Sequence, residues 1–456
     1  MNTVTIARTA PPALVSNPCP DHPRSMRGSG DRGGVLARDP GAPARQHDAA
    51  DRLGAELFPG VLKRRDQREN AERYVQGLLT ARGRKSIRNV ARSAGGSESV
   101  QRLHHFISCS PWAWLPLREA LARRALLPEV PQAWVLQSLV IPKTGSHSVG
   151  VGCRTRPARG QAAGGQHAFG VWLASERFAV PVNWRLSLPS GWLRDDERRR
   201  RAGIPEHVVE ETVEQSAVAS VLELTRRPRL PLLPVVIERY PGIDALSMAR
   251  ALRTHRMPFL LRVADSTPLV PADRRSPGYG ARWWHARDIV EAVKGLRRSA
   301  GWTDPTAKDA ARTSLVVCVP VRLPATDPAR RASEPRPDRD LLLLGEWQDP
   351  NAPVSRLWLV DTDPTPAGDL LTLTKLGGRV EHDFAEIGEE VGLRDFEGRS
   401  YGGWHRHITL ASVAHLARVM ERRAETGDQA ATAGRSTGAR SNSATTSGCR
   451  TPNQLR

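Results

Sequence analysis

A change of hydrophobic period near residue 131 constrains the fold of this 456-residue chain more than any other feature. Before it, Ala71, Tyr74, Val75, Leu78 and Leu79 recur at the spacing of one helix face, and Ile87, Val90 and Ala91 resume it after the Gly83-Arg84-Lys85-Ser86 break. Val100, Leu103, His104 and Phe106 continue the helical pattern, and after Ser110-Pro111-Trp112 so do Leu117, Ala120, Leu121 and Ala125. Beyond the change the period is that of strands. Val135, Leu136, Leu139 and Ile141 form one, residues 148–152 a second and 168–174 a third, with an apolar run from Phe178 to Leu186 behind them. Residues 234–238 then read as a strand, 245–255 as a helix and 258–263 as another strand. Such an order demands an α/β fold, a mixed sheet covered by helices.

Charge narrows the class of partner. Lys and Arg number 67 against 48 Asp and Glu, a net charge of +19 that favours a polyanion, nucleic acid before an anionic membrane surface. No apolar run approaches the roughly 18 residues of a membrane span, and no N-terminal stretch has the form of a signal peptide. The expected location is therefore the cytoplasm, on the nucleoid. Five scattered cysteines give no disulfide framework, and Cys19 with His22 lacks the second pair that a zinc site needs.

Composition then divides the chain. Residues 1–50 and 424–456 are rich in Pro, Gly, Ala, Ser, Thr and Arg without apolar periodicity, and are expected to be disordered basic tails. Residues 51–130 form a helical domain in which Arg84, Lys85, Arg88, Arg92 and Arg102 suit either a DNA-reading helix pair or a bundle with an ordinary solvated basic face. Residues 131–265 hold the first part of the sheet. Residues 266–370, with apolar runs at 314–319, 341–347 and 357–360, are expected to be a β-rich insertion, and 371–423 return to helices.

One stretch carries the most chemistry. Lys375-Leu376-Gly377-Gly378-Arg379-Val380-Glu381-His382-Asp383-Phe384 leads through Gly392-Leu393 into Phe396-Glu397-Gly398-Arg399-Ser400-Tyr401-Gly402-Gly403-Trp404-His405-Arg406-His407. It resembles the end of the catalytic domain in bacterial insertion-sequence transposases of the DDE superfamily. Upstream, Tyr74-Val75-Gln76-Gly77-Leu78-Leu79 and Phe106-Ile107-Ser108-Cys109-Ser110-Pro111-Trp112 resemble their N-terminal domain in order and spacing. Ala133-Trp134-Val135, Pro142-Lys143, Gly145 and His147-Ser148-Val149-Gly150-Val151 keep the register of their first strand. The resemblance implies an RNase H-like fold, whose acids sit at strand ends and on a later helix and converge on Mg2+. It also implies double-stranded DNA as partner, no membrane, and a homodimer as an assembly to test.

Matched position by position, the acids are incomplete. Gln137 stands where the family has its first Asp, with Ser138 beside it; Glu238 stands for the second Asp, one methylene longer; Glu381 is the retained third acid. Of the Tyr, Arg, Glu and Lys that such transposases spread along the last helix, only the Glu remains, the others falling on Thr374, Gly377 and Gly388. Two-metal phosphoryl transfer needs several anionic oxygens to hold cations about 3.5–4 Å apart, and Gln137 brings no charge. Glu381 and Glu238 would hold metal only in an active protein. DNA contacts are expected from Arg84, Lys85, Lys143, His147, Arg399, Trp404, His405, Arg406 and His407, since phosphate contacts do not depend on the acids.

Three functions are compatible with these residues. The first is a DNA-binding descendant of a transposase with lost or severely weakened cleavage and strand transfer. The second is an active transposase with a shifted metal site, for which Asp244, Asp265, Asp383 and Glu386 are the spare acids. The third is a protein-interaction scaffold that does not use DNA.

Overall fold

The computed structural model describes residues 43–94, 99–126, 132–143, 145–155, 162–227, 229–238, 240, 242–280, 283–307, 311–325 and 340–440. Most of both expected tails, 1–42 and 441–456, lies outside the described residues. The inner ends of those tails are helical. Helix α1 spans Pro43–Leu57 and already buries Ala49, Ala50 and Leu53, so the folded chain starts before residue 51. Its apolar stripe is narrow and lies behind a Pro- and Gly-rich run, which hides it from a periodicity argument. At the other end α12, Tyr401–Arg440, passes residue 424 without a break.

The other N-terminal helices are α2 (Arg65–Thr80), α3 (Ile87–Ser93), α4 (Ser99–Ser108) and α5 (Trp114–Ala125). The Ser86 hydroxyl accepts from the Asn89 amide and caps α3, as the break before Ile87 implies. Strands β1 (Ala133–Pro142), β2 (Gly152–Thr155), β3 (Ala162–Ala174) and β4 (Ala179–Ser187) follow. The second strand therefore begins at Gly152; residues 148–150 turn, with Gly150 at a φ of 75°. Helices α6 (Ser190–Leu193), α7 (Asp196–Ala202) and α8 (Val213–Thr225) lead to β5 (Val235–Ile237), α9 (Ala245–Thr254) and β6 (Phe259–Val263).

β1, β3 and β4 are consecutive antiparallel neighbours, and β5 and β6 run parallel beside β1. The resulting order β4-β3-β1-β5-β6 is the RNase H-like topology. The next elements are β7 (Pro268–Pro271), β8 (Trp284–His285), α10 (Ala286–Ala292), β9 (Arg298–Thr303), β10 (Ala311–Arg322), β11 (Leu341–Trp347) and β12 (Arg356–Asp361). They do not form a separate sheet. β12 pairs antiparallel with β6, β11 with β12 and β10 with β11, extending one sheet to 12 strands. Helix α11 (Ala367–Asp383) then crosses back to pack on β1 and β5, and a π turn at Phe384–Gly388 ends it.

α12 joins the two halves. Every residue from His407 to Val419 is buried, as in a helix inside a core rather than on a surface. It packs against α1, α2, α4, α5 and β4, so N-terminal helices and sheet share one hydrophobic core. Its polar side chains act as internal ties. Arg118 of α5, 1% exposed, donates to Thr409 Oγ1 at 2.7 Å, Asn183 Oδ1 at 2.9 Å and the Trp184 carbonyl at 2.6 Å, and meets His405 Nδ1 at 3.0 Å. Burial lowers its pKa to about 10, which keeps the guanidinium charged at neutral pH. The Tyr74 hydroxyl meets His407 Nδ1 at 2.8 Å while His407 Nε2 lies 2.9 Å from the Gly392 carbonyl.

The buried histidines of α12 make the fold acid-sensitive. Burial holds His405 well below its ordinary value, His407 at about 4 and His415 at about 3. In the unfolded chain they titrate near about 6.5. Their contribution to stability is therefore complete above that pH and is lost as pH falls toward the folded values, because the unfolded state takes up protons first. The melting temperature should be level from pH 7 upward and drop progressively between pH 6.5 and 4. His415→Phe should flatten that drop by about one proton's worth; an unchanged slope would contradict the assignment.

Candidate functional site

Strand register assembles the site. β1 and β5 align Leu136 with Ile237, and β5 and β6 align Ile237 with Leu261, so the next residues, Gln137, Glu238 and Arg262, form a row across three neighbouring strands. Arg262 lies opposite Trp358 of β12. Arg356, two residues from Trp358, shares its face, and Glu346 of β11 lies opposite Arg356. Helix α11 covers this face. A Cβ on Gly377 would stand 3.1 Å from Glu238 Cγ and 3.2 Å from its Oε1, and Lys375 Nζ lies 2.7 and 2.6 Å from the two carboxylate oxygens of Glu346. Glu381 is one helical turn beyond Gly377.

Gln137 and Glu238 have unequal surroundings. The side-chain oxygen of Gln137 is buried without a hydrogen-bond partner. Glu238 Oε2 accepts from Arg262 Nη1 at 2.9 Å. Tyr240 donates its hydroxyl to the Leu136 carbonyl at 2.8 Å, and burial, with Glu238 and Glu381 nearby, pushes its phenol above the ordinary range. Glu381 is exposed on the rim; partial desolvation and then repulsion from Glu238 raise its pKa, and Arg262 and Arg356 oppose that shift.

Helix α11 and the turn after it carry Thr374, Gly377 and Gly388, where the resemblance expects the companions of Glu381. Gly377 and Gly378 do not interrupt it. At 377 the absent side chain leaves the space that the longer Glu238 fills. Thr374 is buried and donates its hydroxyl to the Leu371 carbonyl, and at Gly388 a Cβ would meet Leu393 Cδ1 at 2.9 Å, so a long side chain has no room there without repacking.

The strongest ionic contact on this face was not among the sequence expectations. Lys375 and Glu346 are 5% and 0% exposed in their side chains. Ser314 donates to Glu346 Oε1 at 2.9 Å, Trp302 Nε1 donates to Ser314 Oγ at 2.9 Å, and the Lys375 ammonium sits 4.6 Å from the Trp302 ring centroid. Burial lowers the Lys375 pKa while Glu346 opposes it. The signal was present: Glu346 interrupts an apolar strand, as Arg262 does within Phe259–Val263.

The donor set does not suit a pair of divalent cations. Glu238, Glu381 and Glu346 are balanced on the same face by Arg262, Arg356 and Lys375, so the positive charge that metals would bring is already built into the chain. Gln137 offers a neutral oxygen, and Glu238 is engaged by a guanidinium. Among the described residues no group of three or more His, Cys, Asp or Glu is placed to hold a metal ion. The spare acids are also occupied. Asp244 caps α9 by accepting from the Ser247 amide at 2.9 Å, although it shares a cavity of about 250 Å³ with Glu238. Asp265 lies 3.5 Å from Arg287, Asp383 accepts from the Ala179 amide at 2.6 Å and pairs with Arg379 at 2.8 Å, and Glu386 lies 3.9 Å from Arg422.

The expected DNA contacts divide by burial. Trp404, His405 and His407 are 1%, 2% and 1% exposed, members of the core of α12, and cannot reach a duplex without unfolding it. Lys85 is buried with its ammonium on the Ala81 carbonyl, and Arg406 is spent on the carbonyls of Ile107 at 3.0 Å and Trp112 at 3.2 Å. Lys143, half-buried, donates to the Phe396 carbonyl. Arg84, His147 and Arg399 are exposed, and Arg84 lies 3.2 Å from Glu397, so Arg84 and Lys143 reach the same 395–397 loop.

A family model described as DDE superfamily endonuclease matches residues 56–316, which hold helices α2 to α5 and the segments that carry Gln137, Glu238 and Arg262. No curated protein matches the chain.

The buried pair is testable by denaturation. Lys375→Met leaves Glu346 charged and unpaired in the core, and should cost about 3–5 kcal/mol. Lys375→Met with Glu346→Leu should recover most of that loss. A single-variant loss below about 1 kcal/mol, within the range of an exposed pair, would contradict the burial.

Proposed function

The chain belongs to the DDE superfamily endonuclease family, and from that premise we propose that it is a DNA-binding protein derived from an insertion-sequence transposase, with strand cleavage and strand transfer lost or severely weakened. The observation that carries this is the Glu238–Arg262 ion pair at 2.9 Å, beside Gln137, in the row where a working site would gather acids around metal. In-line displacement at phosphorus relies on cations that activate the attacking oxygen and stabilise the leaving one. A guanidinium can neutralise a phosphate but stays protonated and cannot generate hydroxide. Mg2+ is the family's expected cofactor, and Glu238 and Glu381 are its nearest donors here; two carboxylates, one of them held by Arg262, are too few for two ions.

Binding is supported by different features. The net charge of +19 favours a polyanion, and Arg84, His147 and Arg399 keep exposed side chains. Among the described residues no helix is long and apolar enough to cross a membrane. A location on the nucleoid follows from DNA binding. The shifted-metal alternative is weakened by the structural employment of Asp244, Asp265 and Asp383, and the scaffold alternative predicts no salt-dependent DNA affinity.

Supercoiled plasmid incubated with the protein in Mg2+ or Mn2+ should remain uncut, and Glu381→Ala should behave identically. Cutting by the unmodified protein that Glu381→Ala abolishes would overturn the loss of catalysis. Duplex affinity should fall linearly on a log scale with salt, by about 0.9 per phosphate contact. Absence of affinity at low salt would sink the DNA reading and favour the scaffold.

A further inference from the structure

We propose that Arg262 and Arg356 form a phosphate pocket that grips one phosphodiester of a bound DNA strand beside the disabled acid row, an assignment that rests on the DNA-binding reading above. A cavity of about 550 Å³ opens over the junction of β6 and β12, lined by Arg262, Asp265, Ser266, Ser355 and Arg356 among others. Arg262 also lines the 250 Å³ cavity that holds Glu238 and Tyr240, so the two spaces adjoin across its guanidinium. The larger one exceeds what a lone phosphate needs and leaves room for a flanking sugar.

The two arginines are placed together by the sheet. Arg262 faces Trp358, and Arg356 is two residues from Trp358 on the same face, which makes them diagonal neighbours about 7–8 Å apart. Like charges so placed repel unless an anion lies between them. Arg262 has one carboxylate, Glu238, on Nη1, and keeps further donors of its five for another acceptor. The Arg356 side chain is half-buried and, among the described residues, makes no hydrogen bond or ion pair. Asp265, the acid in the lining, is directed to Arg287. Acids and cations along the strip are equal in number, but among the described residues no acid contacts the Arg356 guanidinium, so this partly desolvated group keeps its donors for an acceptor, and its planar fork suits a tetrahedral phosphate with two oxygens to share. No bond is made or broken. The pocket neutralises the phosphate charge as metal would in a working site, without a group that could activate water.

Arg356→Gln is the informative variant, because no described contact depends on that side chain, and an unchanged melting temperature in chloride would verify the fold. Two probes separate free phosphate from DNA. With inorganic phosphate at constant ionic strength, the unmodified protein should melt at a higher temperature than in chloride, and Arg356→Gln should lose that rise. With duplex DNA, Arg356→Gln should lower the salt slope by about one contact and weaken binding several-fold at low salt. Loss of the phosphate effect with an unaltered DNA slope would overturn the strand assignment and make the pocket a site for free phosphate. No difference in either assay would overturn the pocket. An unmodified protein with no DNA affinity would overturn the functional reading, and the phosphate assay would then judge the pocket alone.

Discussion

Strand register is the constraint on which the rest of this molecule depends. Once β1, β5, β6, β12 and β11 are paired as they are, period-two alternation delivers Gln137, Glu238, Arg262, Arg356 and Glu346 to one face, whatever their chemistry. Helix α11 must then close over a strip of polar and charged groups, and it does so by bringing Lys375 to Glu346 and a bare Gly377 to Glu238. Fold and site are not separable here: the strip exists because the insertion continues the central sheet. In a separate insertion, Arg356 and Glu346 would lie apart from Glu238.

The same economy governs the surface. Hydrogen bonds offset the cost of burying a cation or imidazole, and Arg118, His407 and the half-buried Arg406 find theirs by crossing between the N-terminal helices, β4 and α12. The helical domain is thus fastened to the sheet by polar ties as well as by shared core. A price of that fastening is that much of the basic and aromatic content of the 399–407 segment is unavailable to any partner. Attraction for a polyanion must come from exposed groups such as Arg84 and from pockets such as the one under Arg356.

Much of the architecture was legible in sequence because it depends on local periods: the helix stripes of 71–79 and 87–91, and the apolar alternation of 135–141. The family resemblance added the topology, and the β5, α9, β6 order bears it out. What failed did so for specific physical reasons. Trp404, His405 and His407 look the same on paper whether they face water or core; the discriminating signal was the stretch from Ile408 to Ala417, which carries no Lys, Arg, Asp or Glu and whose polar residues are Thr409, Ser412 and His415, leaving no charged side on that part of the helix. Arg262, Glu346 and Arg356 went unnoticed because pairing between strands distant in sequence has no one-dimensional trace. Only their presence in apolar strands marked them. The shift of β2 to Gly152 reflects the turn at Gly150, a positive-φ position the apolar run conceals.

The residues at 137, 238 and 377 are physically coupled. A long basic side chain at 377 would occupy the space that Glu238 fills, and Glu238, by extending there, presents its other oxygen to Arg262. With Arg262 and Arg356 supplying positive charge, an Asp at 137 would find its neighbours already neutralised, so adding that single acid leaves Glu238 tied and the new charge uncompensated. A metal-binding face would require releasing Glu238 from Arg262 as well as adding the carboxylate. Each change alone leaves either an unpaired, partly buried guanidinium or an uncompensated acid, so the two changes are useful only together.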